Sequence, residues 1–423
     1  MTARWSNWAE NQSCTPIAVH RPTSEAELVA IVGRAAAAGE RVKAVGAGHS
    51  FTGTALTDGH LVRLDRYDRV LHVDGSTGLV TVEAGIPLSK LNDELARHGL
   101  AMENLGDIAY QSVSGAIATS THGTGSRFTG IAAQVRGMRV VTGEGEVVDA
   151  PAGVEVGVGA AGLVSTVTLQ CVPAFRLHAI EEPIRLDVVL EQQDELIETN
   201  DHFEYFWVPH TGWTLTKRNR RTDEPARPRP RLRALRDDYL YGNLLFDLAC
   251  RVGRRSPERI PSVMRKVPSA GRVEYVDRSD KVFASPRLTK FYEMEYAVPR
   301  EHGADAVRAV RDYVKSSGLF ISFPVEVRFT AADDVPLSTS SGRPSCYVAV
   351  HVYKGMEHVQ YFRAVESIMD ELGGRPHWGK LHFQTAETLA PRYPRWDEFQ
   401  ALRRRLDPGG TFRNDYTDRV LGW

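Results

Sequence analysis

The sequence predicts an α+β fold in two domains, 1–175 and 176–423, and three observations carry that expectation. Up to about residue 175, short strand signals and glycine-bearing turns follow one another closely. At 215–238 the stretch "LTKRNRRTDEPARPRPRLRALRDD" is basic, punctuated by proline and without an apolar period. Beyond it, strand signals alternate with helical ones, the pattern of a mixed or antiparallel sheet covered by helices. The length of 423 residues suits two or three domains at ~100–200 residues each.

In chain order, Ser24 and Glu27 form a capping box, and Leu28, Ile31, Val32 and Ala35 then recur at helical spacing. Gly39 stops that helix. "RVKAV" (41–45), "LVRL" (61–64), "RVLHVD" (69–74) and "GLVTVEAG" (78–85) are strands, the last two joined by the turn "GSTG". A helix with Leu88, Leu91 and Leu95 on one face ends at Gly99. Residues 135–150 form a hairpin and 160–173 a buried strand. The basic stretch 215–238 is expected to be a solvated loop, with a membrane-surface or partner-docking role as the alternative. "FYEMEYAVP" (291–299), "FPVEVRFT" (323–330) and "CYVAVHVYKG" (346–355) are strands, and a helix near 358–371 leads into "RPHWGKLHFQT" (375–385).

Composition excludes several classes. Hydrophobic content of 42% and charged content of 25% are ordinary for a soluble globular protein. A net charge of −1 gives no global field for nucleic acid. Cys14, Cys171, Cys250 and Cys346 are scattered, which suggests neither a disulfide framework nor a zinc knuckle and fits a reducing compartment, the cytoplasm. The opening "MTARWSNWAENQSC" has no signal-peptide core, and no apolar run reaches the ~18 residues of a membrane span. His377 and His382 flank Lys380, but that spacing without a carboxylate cluster suits zinc poorly, so no metal site is expected.

Two glycine clusters carry the chemistry. In "VGAGHSF" (45–51), Gly46 and Gly48 make the G-x-G of a dinucleotide loop, but Phe51 stands where the third glycine belongs, which argues against a nicotinamide dehydrogenase. "NLGDIAYQSVSGAIATSTHGTG" (104–125) is rich in small and hydroxyl residues, so backbone N–H groups and hydroxyls can approach a phosphate. Two such clusters suit an extended ligand with a pyrophosphate in its middle. On the later strands, Glu326 and Arg328 share one face while Val325 and Val327 take the other; His351 and Tyr353 likewise oppose Val348, Val350 and Val352.

"GAGHSF", "TVEAG", "NLGDI" with "QSVSGAIATSTHGTG", "VEVRF" and "RPHWGK", in that order over nearly the whole chain, resemble the FAD-linked sugar-lactone and alditol oxidases of the vanillyl-alcohol oxidase superfamily. The closest likeness is to the bacterial L-gulono-1,4-lactone oxidase or dehydrogenase and D-arabinono-1,4-lactone oxidase branch. The resemblance implies an FAD-binding α+β domain followed by a substrate, or cap, domain, with 375–423 packing back near the flavin. It implies FAD bonded covalently through His49 and held by Gly46, Ala47, Gly48, Ser50, Gly106, Ser112, Gly115, Thr119, Thr121 and His122. Gly162 and Val164 would lie at the adenine end, although the preceding "PAGVEVGVGAAGLV" is shorter than the family pattern.

The implied reaction is oxidation of a CH–OH group of a sugar 1,4-lactone by hydride transfer to flavin N5. An alditol such as xylitol, or a sugar moiety in specialised metabolism, is the alternative substrate. Arg328 and Lys380 are the candidate cations near the reacting centre, and Glu326 and His351 the candidate bases. Asp107 and Tyr353 are candidate substrate contacts. A glycine at 106 leaves room for oxygen, which favours an oxidase; another electron acceptor is the alternative.

Overall fold

A computed structural model of the chain describes residues 4–266, 271–285 and 288–423. Helix Glu25–Ala37 begins at Ser24, whose hydroxyl accepts from the Glu27 amide, while the Glu27 carboxylate reaches back to the Thr23 amide at 2.7 Å. Its stripe of Leu28, Ile31, Val32 and Ala35 is buried on a three-stranded parallel sheet of Ala18–His20, His60–Arg63 and Val42–Val45. An antiparallel five-stranded sheet shares this core through Val141 and Leu163. Its order is Val147–Asp149, Val135–Val141, Leu163–Gln170, Leu79–Glu83 and Val70–Asp74. The hairpin turn passes through Gly145 at φ +84°, a conformation that only glycine adopts without strain.

A third sheet has eight strands, antiparallel throughout. Its order is Val273–Arg278, Arg176–Arg185, Trp213–Thr222, His202–Trp207, Val325–Thr330, Ser345–Tyr353, Phe291–Pro299 and Arg375–Pro376. Side chains alternate between its faces. Met294, Tyr296 and Val298, Val325, Val327 and Phe329, and Val348, Val350 and Val352 pack under helices Gly303–Ser316 and Val359–Glu371. Their neighbours of opposite parity, Glu293, Glu295, Glu326, Arg328 and His351, are left on the other face.

The chain then returns to its start. Trp378 and helices Trp396–Leu406 and Asp415–Leu421 enter the same core as Val80, Val113, Ile117 and Val167. The Val42 amide donates to Thr411 O and the Gly143 amide to Leu406 O, both at 2.8 Å.

The basic stretch is irregular only at 223–230; a strand and a helix take its two ends. Trp213–Thr222 is a ten-residue strand paired on both edges. Its alternation is polar: Thr214, Thr216 and Asn219 are buried, while Lys217 and Arg218 pair with Glu204 and Glu182. An apolar period is the usual mark of a strand, and this one has none to show. Residues 231–255 are helical without a break, and Leu235–Leu245 winds as a π-helix. Among the described residues no helix is long and apolar enough to cross a membrane.

Candidate active site

Three adjacent strands assemble the charged face. Glu293 lies opposite His351, Glu326 opposite Ala349 and Arg328 opposite Tyr347, so the polar side chains form two neighbouring rows. A cleft opens above them. Eight of the residues singled out from sequence line it: Gly106, Asp107, Thr121 and His122 from the first half of the chain, and Glu326, Arg328, His351 and Lys380 from the second. Glu293, Glu295, His377 and Phe291 join them.

Every cation in the cleft is already engaged by carboxylates. Arg328 donates to Glu326 at 2.5 Å and to Glu204 at 2.7 Å, with Asp107 at 3.7 Å. Burial works against its charge, but these carboxylates raise the guanidinium well above its ordinary value. Lys380 is bonded to Glu293 and sits 5.4 Å from the centre of the Phe51 ring. Burial opposes its charge too, and Glu293 and Glu295 more than offset that, so its pKa is raised. His351 donates from Nδ1 to Pro324 O at 3.0 Å and turns Nε2 to Glu293 at 3.3 Å. Burial disfavours the imidazolium, yet Glu293 outweighs it and the pKa rises. Burial works against the Glu293 anion as well, but Lys380 and His351 hold it below the usual carboxylate range.

His122, Glu295 and His377 bring three possible ligand atoms within 4.8 Å of one another. Two of the three, His122 and Glu295, are already paired with each other. His122 stands between two acceptors, Gly123 O at 2.9 Å and Glu295 at 3.2 Å. His377 Nδ1 accepts from the Gly379 amide at 3.0 Å, and burial brings this histidine down to about 3, so it is neutral.

The loop 45–51 is fastened from several sides. The Trp8 amide donates to Gly48 O at 2.8 Å, Asn7 to Ser50 O at 2.9 Å, and the Phe51 amide to Gly379 O at 2.7 Å. Gly48 has φ +71°. A Cβ on Gly46 would fall 1.9 Å from Ser112 Oγ, and one on Gly379 would fall 3.3 Å from Ser50 Oγ and 3.4 Å from Thr119 Cβ. The two glycine clusters and the "HWGK" loop therefore meet at backbone distance. Ser112 also caps helix Val113–Ala118 by accepting from Gly115 N. His49 packs beside Trp8, ring centres 5.5 Å apart; partial burial and the Lys380 charge bring its pKa down to about 4, so the ring is neutral at ordinary pH. The Thr121 hydroxyl is buried with no protein partner among the described residues.

Three residues singled out from sequence lie elsewhere. Gly162 and Val164 pack on Val140 in the five-stranded sheet and do not line the cleft. Tyr353 has the parity of His351, but helix Phe246–Arg255 intervenes: its hydroxyl donates to Asp247 at 2.9 Å and its ring lies in a cluster with Phe291 and Phe323. Sequence reading passed over Glu293, Glu295 and Glu204. The signal for the first two was present in "FYEMEYAVP", where two glutamates occupy one face of a strand whose other face is Met294 and Tyr296. Glu204 sits among aromatic residues in "HFEYFW" and carries no such mark.

A parallel and an antiparallel sheet bearing two glycine clusters, an orphaned buried hydroxyl beside them, and a charged cleft on a third sheet define an FAD-binding oxidoreductase. Comparison with known proteins agrees. Residues 16–151 match the FAD binding domain family, and residues 167–420 match the D-arabinono-1,4-lactone oxidase family. The chain belongs to the D-arabinono-1,4-lactone oxidase family of FAD-dependent enzymes. It is 49% identical to an L-gulono-1,4-lactone dehydrogenase of Mycobacterium tuberculosis, with all of both chains covered. It is 33% identical to an L-gulonolactone oxidase of Scyliorhinus torazame, over 100% of this chain and 99% of that one. It is also 33% identical to an alditol oxidase of a Streptomyces species, over the whole of both. A solvent-stable cholesterol oxidase has the same fold, with TM-score 0.82, 18% identity, and coverage of 99% of this chain and 97% of that one.

Proposed function

We propose that this protein oxidises a CH–OH group of a neutral sugar 1,4-lactone of the L-gulono or D-arabinono type. The observation that carries the reading is the commitment of Arg328 and Lys380 to internal carboxylates. No cation lining the cleft is left over for an acidic sugar, whereas Asp107, Glu293, Glu295 and Glu326 offer acceptors to hydroxyl groups. Residues 1–175 hold the cofactor and 176–423 the substrate.

The pyrophosphate is assigned to Gly46, Ala47, Gly48, Ser50, Ser112, Gly115 and Thr119, small residues that let the backbone come close to a phosphate. His49, neutral and beside it, is the covalent anchor. Gly162 and Val164 are assigned to the adenine end only through the family likeness. When bound, FAD supplies a two-electron acceptor for the hydride of the carbinol carbon. Of the two candidate bases, Glu293 favours the imidazolium of His351, so the hydroxyl proton is assigned to Glu326, which Arg328 holds in place. Lys380 and His351 supply the positive charge that steadies negative charge developing at the reacting centre.

Oxygen or another electron acceptor is compatible with Gly106, which lines the cleft. The space its absent Cβ would fill is bounded by His122 O at 3.1 Å and Thr121 Cγ2 at 3.4 Å, so the small residue serves close packing. The free cysteines suit the reducing cytoplasm.

A polyol would satisfy the same carboxylates, and the alditol oxidase relative keeps that reading in view. Turnover of L-gulono-1,4-lactone, L-gulonate and xylitol, each with oxygen and with an artificial dye, separates the cases. Preference for the lactone with either acceptor supports the proposal; preference for xylitol moves the protein to polyols, and good turnover of the gulonate anion refutes the charge argument.

A further inference from the structure

The helical run 231–255 has two faces, and among the described residues the apolar one on its outer side has no partner. Its inner side is Asn243, Phe246, Cys250 and Gly253, spaced three or four residues apart and packed on the protein. Its outer side carries Leu232, Leu235, Leu240, Leu244, Leu248 and Val252. The intervals lengthen to four and five residues where the run winds as a π-helix, which keeps these side chains in one stripe. Leu232 is 84% exposed, Leu244 63% and Leu248 56%. Singly exposed leucines are ordinary; a stripe of six along one helix is not.

The surroundings of the stripe are basic. Residues 231–266 hold nine Lys and Arg against four Asp and Glu, a local charge of +5 in a chain of net charge −1. At the end of the stripe, Arg251, Arg254, Arg255 and Arg259 surround a hollow floored by Leu248 and Val252. Arg251 is paired with Asp247, whereas Arg255 and Arg259 have no ion pair among the described residues. Exposed apolar side chains bordered by arginines are the pattern of a helix that lies in a bilayer interface, with its leucines among the acyl chains and its cations on headgroup phosphates.

We propose that this face docks the enzyme on an anionic lipid bilayer. Charge selects this occupant over a second copy of the chain. A two-fold contact would set the same +5 surface against itself, whereas an anionic leaflet complements it. The docking is peripheral and needs no membrane-spanning helix. It is independent of which sugar the cleft oxidises, since none of these residues lines that cleft.

The test is co-sedimentation of the flavin-loaded enzyme with phosphatidylglycerol-containing vesicles and with phosphatidylcholine vesicles, at low salt and at roughly 0.5 M salt. Light scattering of the free protein runs alongside. The expected result is binding to the anionic vesicles alone and release by salt. The pair Arg255→Glu and Arg259→Glu should weaken it roughly thirtyfold or more, the scale of two surface charges. The pair Leu244→Asp and Leu248→Asp should abolish it, with dye-linked turnover in solution unchanged for both. Absence of binding to either vesicle overturns the proposal, as does equal, salt-insensitive binding to both. Dimerisation lost in the leucine pair without vesicle binding also overturns it and gives the face to a second copy.

Discussion

Replacing Arg328 by alanine removes one buried cation from among Glu204, Glu326 and Asp107. Breaking a buried ion pair from one side costs about 3–5 kcal/mol, because the remaining charge is stranded. An exposed pair on a strand would cost about 0–1 kcal/mol. Unfolding entropy of about 2.1 cal/mol/K per residue over 423 residues is about 0.9 kcal/mol/K, so the buried case lowers Tm by about 3–6 °C and the exposed case by about 1 °C at most. The pH dependence supplies an independent sign. In the native protein burial pushes Glu204 up, but Arg328 outweighs it and the pKa is lowered. That contribution to stability is present above the unfolded pKa and is lost as pH falls through the folded one. Without Arg328 only Lys217 still opposes burial and the Asp107 charge, so the downward shift shrinks and with it the stability present at higher pH. The Tm deficit of Arg328→Ala should therefore be larger at about pH 8 than at about pH 5. Anaerobic stopped-flow reduction of the flavin should slow by roughly 10²-fold, the scale of one preorganised donor. Arg328→Lys should recover part of the Tm and little of the rate, because a point charge cannot hold several carboxylates in a planar fork. Native Tm and native flavin reduction in Arg328→Ala would refute both the electrostatic reasoning and the catalytic placement.

Glu293→Gln removes the anion that raises His351. The stability and activity that depend on the protonated ring are present at low pH and lost as pH rises through its folded pKa, so the alkaline limb of kcat/KM set by His351 should move to lower pH; an unmoved limb removes His351 from that role. Glu326→Gln should depress kcat strongly across the pH range, measured by steady-state turnover, whereas a change confined to KM leaves it as a binding group only. Acid precipitation of the native protein should carry the flavin into the pellet, and His49→Ala should release it to the supernatant; flavin wholly in the native supernatant excludes the covalent anchor. Gly46→Ala places a Cβ 1.9 Å from Ser112 Oγ and should yield folded protein without the visible flavin bands; a fully yellow variant contradicts the cradle.

What sequence could show here was parity and spacing. Glu326 and Arg328, two apart on a strand with Val327 between them, could be assigned to one face before any coordinates, and His351 likewise. Parity does not say what lies above the face. Tyr353 has the parity of His351, yet helix Phe246–Arg255 covers that end of the strand and takes its hydroxyl, a consequence of packing between segments a hundred residues apart. The strand Trp213–Thr222 failed for a related reason. Two of its four cations, Lys217 and Arg218, are neutralised by Glu204 and Glu182 on the flanking strands, and no local pattern announces partners supplied from elsewhere.

Glu293 shows the same limit from the opposite direction. Its strand was legible, and a buried carboxylate on a strand is costly unless cations meet it. The two that do, Lys380 and His351, come from a loop and a strand well beyond it in sequence. Lys380 in turn is placed by Phe51, whose ring stands where a dinucleotide loop would have its third glycine, and whose amide donates to Gly379. The residue that made "VGAGHSF" a poor Rossmann fingerprint thus ties that glycine loop to the loop of Lys380. Its bulk is needed in the fold for that contact, and no glycine could make it.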